Sequence, residues 1–298
     1  MGKGIILLAH GHPNYYRMAL NCAVSIKATS EIAVALVHGS DYTFTKEELS
    51  YFDLQVSIAK ENILLNGEVN YALLKLNMYD LSPFEETLYP DADSLALYGK
   101  NLENLFSEAS LRPVQFDIDN VGHSGENEKD TDFVSFSMPN GSWKKIRETY
   151  SIPAQQQIYD IQSTLVYFKK GAIAKSFFET AIRVFKENKL SISENSKSWV
   201  NDELSFMIAQ GIEGLEMQVP FSNVYYPMTE GFIGSEEQLD KILREYYFYS
   251  IPGIHSHEVF INFYNELVKE YYRHEKLDTS RMFLYQNKRE YMPERVSL

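Results

Sequence analysis

The chain is poor in cysteine: Cys22 is the single thiol among 298 residues. One cysteine excludes an intramolecular disulfide and a cysteine-built zinc site. Cys22 lies in an apolar stretch of helical spacing and reads as a small buried hydrophobe. A lone thiol fits a reducing, cytoplasmic setting. Long apolar runs are also missing. None approaches the roughly 20 residues that span a bilayer. The opening run Ile5–Ala9 is too short for a signal peptide, and His10 and Pro13 follow at once, so it reads as a first core strand. Cationic residues are scarce beside acidic ones, 28 against 41, for a net charge of −13. That argues against a broad nucleic-acid face, which needs clustered Lys and Arg, while leaving room for a local basic groove. There is no P-loop, no Gly-x-Ser-x-Gly elbow and no His-Glu-x-x-His.

What is present suits one large α/β domain. Hydrophobic residues make up 44% of the chain, with 21 Tyr and 18 Phe, enough for a sizeable core. Gly4–Ala9 reads as a buried strand, His10–Tyr16 as a loop broken by Gly11 and Pro13, Met18–Thr29 as a helix, and Ile32–Val37 as a second strand. Strand, helix and strand over this length form a right-handed βαβ unit. The loop after its first strand falls at the carboxyl edge of the sheet, where open α/β sheets bind ligands. Thr45 with Glu48 three residues on is a capping box. Further elements are expected at Leu54–Ile58 (strand), Tyr71–Tyr79 (helix), Thr87–Tyr89 (strand) and Leu102–Ser107 (helix). After an exposed loop at 120–132 come a strand at 133–138, a helix at Trp143–Thr149, a strand at Ile158–Lys169 and an amphipathic helix at Ala172–Glu187. A helix at 200–210, a strand at Leu215–Val219 and helices at 236–247 and 258–274 complete the pattern. No repeat or linker divides the chain. One domain over 1–298 is expected, with a nucleotide-binding half near 1–110 and an acceptor-side half near 111–298.

The most informative stretch is Leu88-Tyr89-Pro90-Asp91-Ala92-Asp93. Side chains alternate along an extended strand, so Asp91 and Asp93 can converge on one point at its end. Two close carboxylates repel each other unless a cation lies between them. Oxygen ligands of this kind suit Mg²⁺ or Mn²⁺, ions that keep positions open for substrate phosphates. The plainer alternative is a solvated turn. Ala9, His10 and Gly11 offer a second donor contact, because a small residue and a glycine let a nucleotide approach the backbone closely. Tyr15 is a candidate to stack on the base, with ordinary packing as its alternative.

These pieces in this order resemble the GT-A nucleotide-sugar glycosyltransferases, most closely the retaining type to which glycogenin and bacterial galactosyl- and glucosyltransferases belong. The resemblance covers about residues 4 to 220. It rests on Leu8-Ala9-His10-Gly11, on Tyr15 and Ser25-Ile26, and on Lys75 in the helix before the acidic motif. It rests also on Asp91-Ala92-Asp93 after its strand, on Gln162-Ser163-Thr164 in a core strand, and on Asn201-Asp202-Glu203 opening a helix. It implies a mixed, mostly parallel Rossmann-like sheet flanked by helices, with a helical C-terminal part. It implies a metal-dependent transferase that moves a hexose from a nucleotide-diphosphate sugar, chiefly a UDP-sugar. In that scheme Ala9, His10, Gly11, Tyr15, Lys75, Asp91, Ala92 and Asp93 bind the donor. Asp91, Asp93 and His255 hold Mn²⁺ or Mg²⁺, with His257 as the rival third ligand. Gln162 and Asp202 position or stabilise the reacting sugar. Uncharacterised glycosyltransferase-like proteins of phages are also similar, which would place the chain in a host cytoplasm.

The pattern departs from the family in places. Gln162 stands where the family has Asn, Thr164 where it often has Gly, and Pro90 replaces an aliphatic residue. The C-terminal His-x-x-Gly-x-x-Lys-Pro-Trp element is absent, leaving Ile254-His255-Ser256-His257 to supply a histidine. Lys75 has an alternative as a solvated helix-face lysine. Asp202 has one as a first-turn acid meeting the helix dipole, and Trp143 and Trp199 have packing as the alternative to an acceptor wall. Two rival functions stay open. One is a degenerate domain that binds a nucleotide sugar or a protein partner. The other is a sugar nucleotidyltransferase, which would carry a glycine-rich loop where this chain has His10-Gly11-His12-Pro13. The acceptor is open among glycan, protein and modified nucleic acid.

Overall fold

A computed structural model of the chain describes residues 2–39, 42–118, 143–187, 189, 202–225, 236–251 and 258–285. In chain order the elements begin with β1 (Lys3–Ala9), α1 (Pro13–Thr29), β2 (Val34–His38), α2 (Lys46–Leu49) and β3 (Leu54–Ser57). Next are β4 (Leu64–Leu65), β5 (Glu68–Val69), α3 (Ala72–Leu76), α4 (Met78–Leu81), β6 (Glu86–Pro90), β7 (Leu95–Ala96) and α5 (Leu102–Ala109). They continue with β8 (Val114–Asp117), α6 (Trp143–Tyr150), β9 (Gln162–Lys169), α7 (Ala172–Glu187) and α8 (Asp202–Glu213). The last are β10 (Val224–Tyr225), α9 (Glu236–Glu245), β11 (Phe248–Tyr249) and α10 (Glu258–Glu275). The fold is mixed α/β, with a mostly parallel central sheet in the strand order β3-β2-β1-β6-β9-β8. Among the described residues no helix is long and apolar enough to cross a membrane.

The chain forms two compact units that interleave along the sequence. One comprises Gly4–Ser57, Tyr89–Leu105 and Asn223–Leu298. Its core begins with β1, where Ile5, Ile6, Leu7 and Ala9 are wholly buried. A near-continuous apolar strand is what a parallel sheet covered on both faces requires. β1 pairs in parallel with β2, and β2 with β3. The expected loop over His10–Tyr16 is shorter than the sequence suggests, because α1 starts at Pro13. The His12 ring accepts a hydrogen bond from the Asn14 backbone N–H at 3.2 Å, which caps the helix. Pro13 therefore opens the helix rather than breaking it, since the first helical position needs no N–H. The expected capping box is present: Thr45 accepts from Glu48 N–H at 3.2 Å, and Glu48 accepts from Thr45 N–H at 2.6 Å. In the same unit β11 pairs in parallel with β10 and antiparallel with β7.

The other unit comprises Met1–Lys3, Ile58–Leu88 and Phe106–Ser222. Its core is aromatic, with Phe116, Phe177, Phe178 and Phe206 in mutual ring contact and all buried. α7 forms as expected and packs on α8. Three expectations are corrected here. The helix expected over Tyr71–Tyr79 is two short helices. They break at Asn77, whose side chain donates back to the Leu73 carbonyl at 2.6 Å and competes with the backbone. Leu215–Val219 is not a strand: the chain there runs irregularly to the cis Val219–Pro220 bond. An unexpected strand, β8, lies antiparallel beside β9; its residues Val114, Gln115, Phe116 and Asp117 alternate apolar and polar, yet all four are buried. The third correction concerns β9, which begins at Gln162 and not at Ile158, so Gln162 lies at its amino end. The loop expected at 120–132 and the strand at 133–138 lie outside the described residues.

Candidate functional site

The unit containing β1 brings together the donor-loop residues and the acidic motif. Ala9, the last residue of β1, is wholly buried, and its carbonyl accepts from Gly39 N–H at 3.3 Å. His10 is half-buried, and Gly11 has a φ of 87°. That left-handed conformation is open to glycine at little cost, so the loop needs Gly11 for its backbone as well as for close approach. Tyr15, on the first turn of α1, is 42% exposed and meets the His12 ring edge-on at 6.5 Å. The buried packing tyrosine of this turn is its neighbour Tyr16, stacked on Tyr42 at 5.0 Å.

Asp91 and Asp93 follow β6 directly, and both are half-buried. Their expected convergence through strand alternation is corrected. Ala92 and Asp93 form a turn, closed by a hydrogen bond from Ser94 N–H to the Asp91 carbonyl at 2.9 Å. The carboxylates share a neighbourhood because the backbone doubles back. Both raise the pKa of the same buried thiol: burial first, then the charges of Asp93 and Asp91, hold Cys22 well above the usual cysteine range. Each carboxylate also takes a hydroxyl donor. Tyr89 donates to Asp91 Oδ1 at 2.7 Å, and Ser250, which is wholly buried, donates to Asp93 Oδ1 at 3.2 Å. Neither hydroxyl was singled out from the sequence. Tyr89 is two residues from its partner and could have been; Ser250 is 157 residues away and carries no local signal.

The donor set fits a hard divalent cation. Two carboxylates offer oxygen ligands alone, and each has about four lone-pair directions, so one hydroxyl donor orients it without exhausting it. Among the described residues no group of three or more His, Cys, Asp or Glu gathers around one point. His255 and His257, the expected histidine ligands, lie outside the described residues, as do Trp199 and Asn201.

The second unit brings together Lys75, Gln162 and Asp202. Lys75 lies in the last turn of the short helix α3 with a side chain 14% exposed, and its Nζ lies 3.4 Å from Asp202 Oδ2. It is an ion-paired, largely enclosed lysine rather than a solvated one. Asp202 is the first residue of α8 and accepts from Ser163 Oγ at 3.1 Å. Glu203, missed as a functional candidate, accepts from Ser163 N–H at 3.3 Å. The first turn of α8 is thus tied to the first turns of β9. Gln162 is half-buried and stands in register opposite Asp117, a buried carboxylate at the end of β8. Trp143 is buried in packing on α6 and lines no open surface.

At the level of sequence, no family profile and no curated protein matches the chain. Solved structures do. The galactosyltransferase LgtC, in complex with donor and acceptor sugar analogues, is 12% identical with a TM-score of 0.54, over 90% of this chain and 95% of that one. An active-site variant of LgtC, with glutamate in place of a glutamine, matches at 13% identity and a TM-score of 0.51 over the same shares. The bifunctional glycosyltransferase WbbM matches at 12% identity and a TM-score of 0.53, over 91% of this chain and 51% of its own. With β1, the β6 turn and the six-strand order in place, the chain has the fold of the GT-A glycosyltransferases.

Proposed function

We propose that this protein is a metal-dependent, retaining glycosyltransferase that moves a hexose from a nucleotide-diphosphate sugar, chiefly a UDP-sugar, to an acceptor. The observation that carries the proposal is the turn after β6, in which Asp91 and Asp93 stand two residues apart in sequence and each carboxylate accepts from its own hydroxyl. The fold supports it, and so does the presence of donor and acceptor sugar analogues in the LgtC complex.

Each group has a role set by its chemistry. Ala9, His10 and Gly11 form the loop against which the nucleotide rests, and the exposed ring of Tyr15 stacks on its base. Asp91 and Asp93, joined by His255, hold Mn²⁺ or Mg²⁺, with the Ala92 backbone between the two acids. When bound, the ion neutralises negative charge on the departing diphosphate. Lys75, paired with Asp202, adds a cation for the donor. The sugar gains positive character as its bond to phosphate lengthens. The Asp202 carboxylate and the Gln162 amide dipole are the groups assigned to orient and stabilise it. No enzymatic nucleophile is assigned. The protein acts inside a cytoplasm.

Calorimetry with UDP, with and without Mn²⁺, tests the proposal. Tight UDP binding is expected with the ion and a loss of at least tenfold without it. Asp91→Asn and Asp93→Asn should each abolish the ion's effect while leaving the thermal melt in place, since both residues lie in a turn beyond the strand. Unchanged binding in both variants would remove the metal site. His255→Ala should weaken Mn²⁺ binding more than His257→Ala; equal affinities in both would leave the ion to the aspartates, phosphates and water. Pyrophosphate release from UTP and a sugar phosphate would instead support a nucleotidyltransferase, and UDP binding without transfer a non-catalytic domain.

A further inference from the structure

We propose that Ser250 is a positioning residue for Asp93, so that seating β11 beside β7 sets the metal affinity of the acidic turn; the proposal rests on the metal-site reading above. Register makes the placement. β7 begins two residues after Asp93, and its Leu95 and Ala96 pair antiparallel with Tyr249 and Phe248. The next residue of that strand, Ser250, is drawn back toward the turn. Its backbone N–H donates to the Tyr225 carbonyl at 3.1 Å, which fixes the main chain from the other side. Its side chain then has one torsion left, and the hydroxyl donates to Asp93 Oδ1 at 3.2 Å.

Burial gives this contact weight. Ser250 is wholly removed from solvent, and a buried hydroxyl is costly to leave without a partner. Its partner is a carboxylate, and hydrogen bonds to charged acceptors are the stronger kind. A serine also loses little side-chain freedom on ordering, so it holds an acceptor more firmly than a long side chain can. The two aspartates are oriented from different sources. Tyr89 serves Asp91 from within β6, two residues before it, so this contact is local to the strand and its turn. Ser250 serves Asp93 across 157 residues and is in place only once β11 has paired with β7 and β10. Groups that orient metal ligands typically change metal affinity by 10–100-fold when removed.

Titration of the full chain with Mn²⁺, followed by calorimetry, reads the effect directly. Ser250→Ala should weaken Mn²⁺ binding about tenfold with a cooperative thermal melt retained. Ser250→Thr, which keeps the hydroxyl, should retain the Mn²⁺ affinity that Ser250→Ala loses, whatever the two variants do to the melting temperature. Equal loss of Mn²⁺ affinity in the threonine and alanine variants would make the serine merely structural, and that result would overturn the proposal. Wild-type affinity in Ser250→Ala would overturn it too, while leaving the metal site standing. If the alanine variant does not fold, Ser250→Cys, near in volume and a weak donor, carries the test, with reduced affinity expected and wild-type affinity contrary. No Mn²⁺ binding by the wild-type chain would overturn both the proposal and the metal site.

Discussion

Cys22 shows how single residues report on the site around them. It is wholly buried in α1, and burial together with Asp93 and Asp91 pushes its thiol well above the usual range. The reactive form of cysteine is the thiolate. In the native protein at pH 8, Cys22 should therefore resist a thiol-colouring reagent and react in full on unfolding; rapid labelling of folded protein would show that the thiol is reachable. Lys75 and Asp202 make a second residue-scale prediction. Asp202→Asn keeps the shape and the Ser163 contact but removes the charge opposite Lys75. Turnover should fall by tenfold or more while the melt shifts little, and steady-state kinetics on the variant would read it. The acidic motif was legible because its two acids and their strand are contiguous. The pairing of Lys75 with Asp202 was not, since it joins α3 to the start of α8 across more than a hundred residues. The family resemblance named both residues, but local pattern could not bring them together.

Elements were legible where their signals are local. The capping box at Thr45 and Glu48, the apolar run of β1 and the amphipathic pattern of α7 each lie within one window, and each formed as expected. Failures came where one residue type has two uses. Pro13 breaks a helix from inside and starts one at its first position, and here the His12 cap decided between them. Leu215–Val219 has the composition of a strand, but the backbone of its Gln218 is bound by the Gln115 side chain rather than by a strand backbone, whereas β8 alternates over only four residues, too few to stand out. Asp53 links elements in a testable way. Its Oδ2 accepts from Lys27 Nζ of α1 and from Val34 N–H of β2, both at 2.7 Å. Burial pushes its pKa up, but the Lys27 hydrogen bond and charge and the Val34 N–H more than offset this, and the carboxyl sits below its usual value. A lowered folded pKa gives stability that is present above the unfolded value of about 4 and is lost as pH falls through the folded one. Asp53→Asn should cost on the order of 1 kcal/mol at pH 7, a modest figure because the side chain is about half exposed and screened by solvent. The gap between wild type and variant should close as pH falls below about 4. A gap independent of pH, measured by denaturant titration, would contradict the assignment.

At the scale of the whole molecule, the sequence order of strand, helix and acidic turn was enough to indicate the fold, and the neighbours among solved structures share it. The interleaving of the two compact units was not legible. Each draws on three separated segments, and contacts of that range leave no periodic trace in sequence. The donor class belongs to this scale, because the residues proposed to hold the base and the phosphates, Tyr15 and the Asp91–Asp93 turn, come from separate segments of one unit. UDP should bind more tightly than ADP in the presence of Mn²⁺; equal or tighter ADP binding would remove the uridine assignment and leave the fold untouched. The central claim is transfer from a nucleotide sugar at the Asp91–Asp93 turn. UDP released from a panel of UDP-hexoses, measured with Mn²⁺ and with chelator for wild type and Asp93→Asn, tests it most directly. Release from at least one donor by wild type with Mn²⁺, absent with chelator and absent in Asp93→Asn, is the predicted result. Release that persists in Asp93→Asn, or no release from any donor, would contradict it.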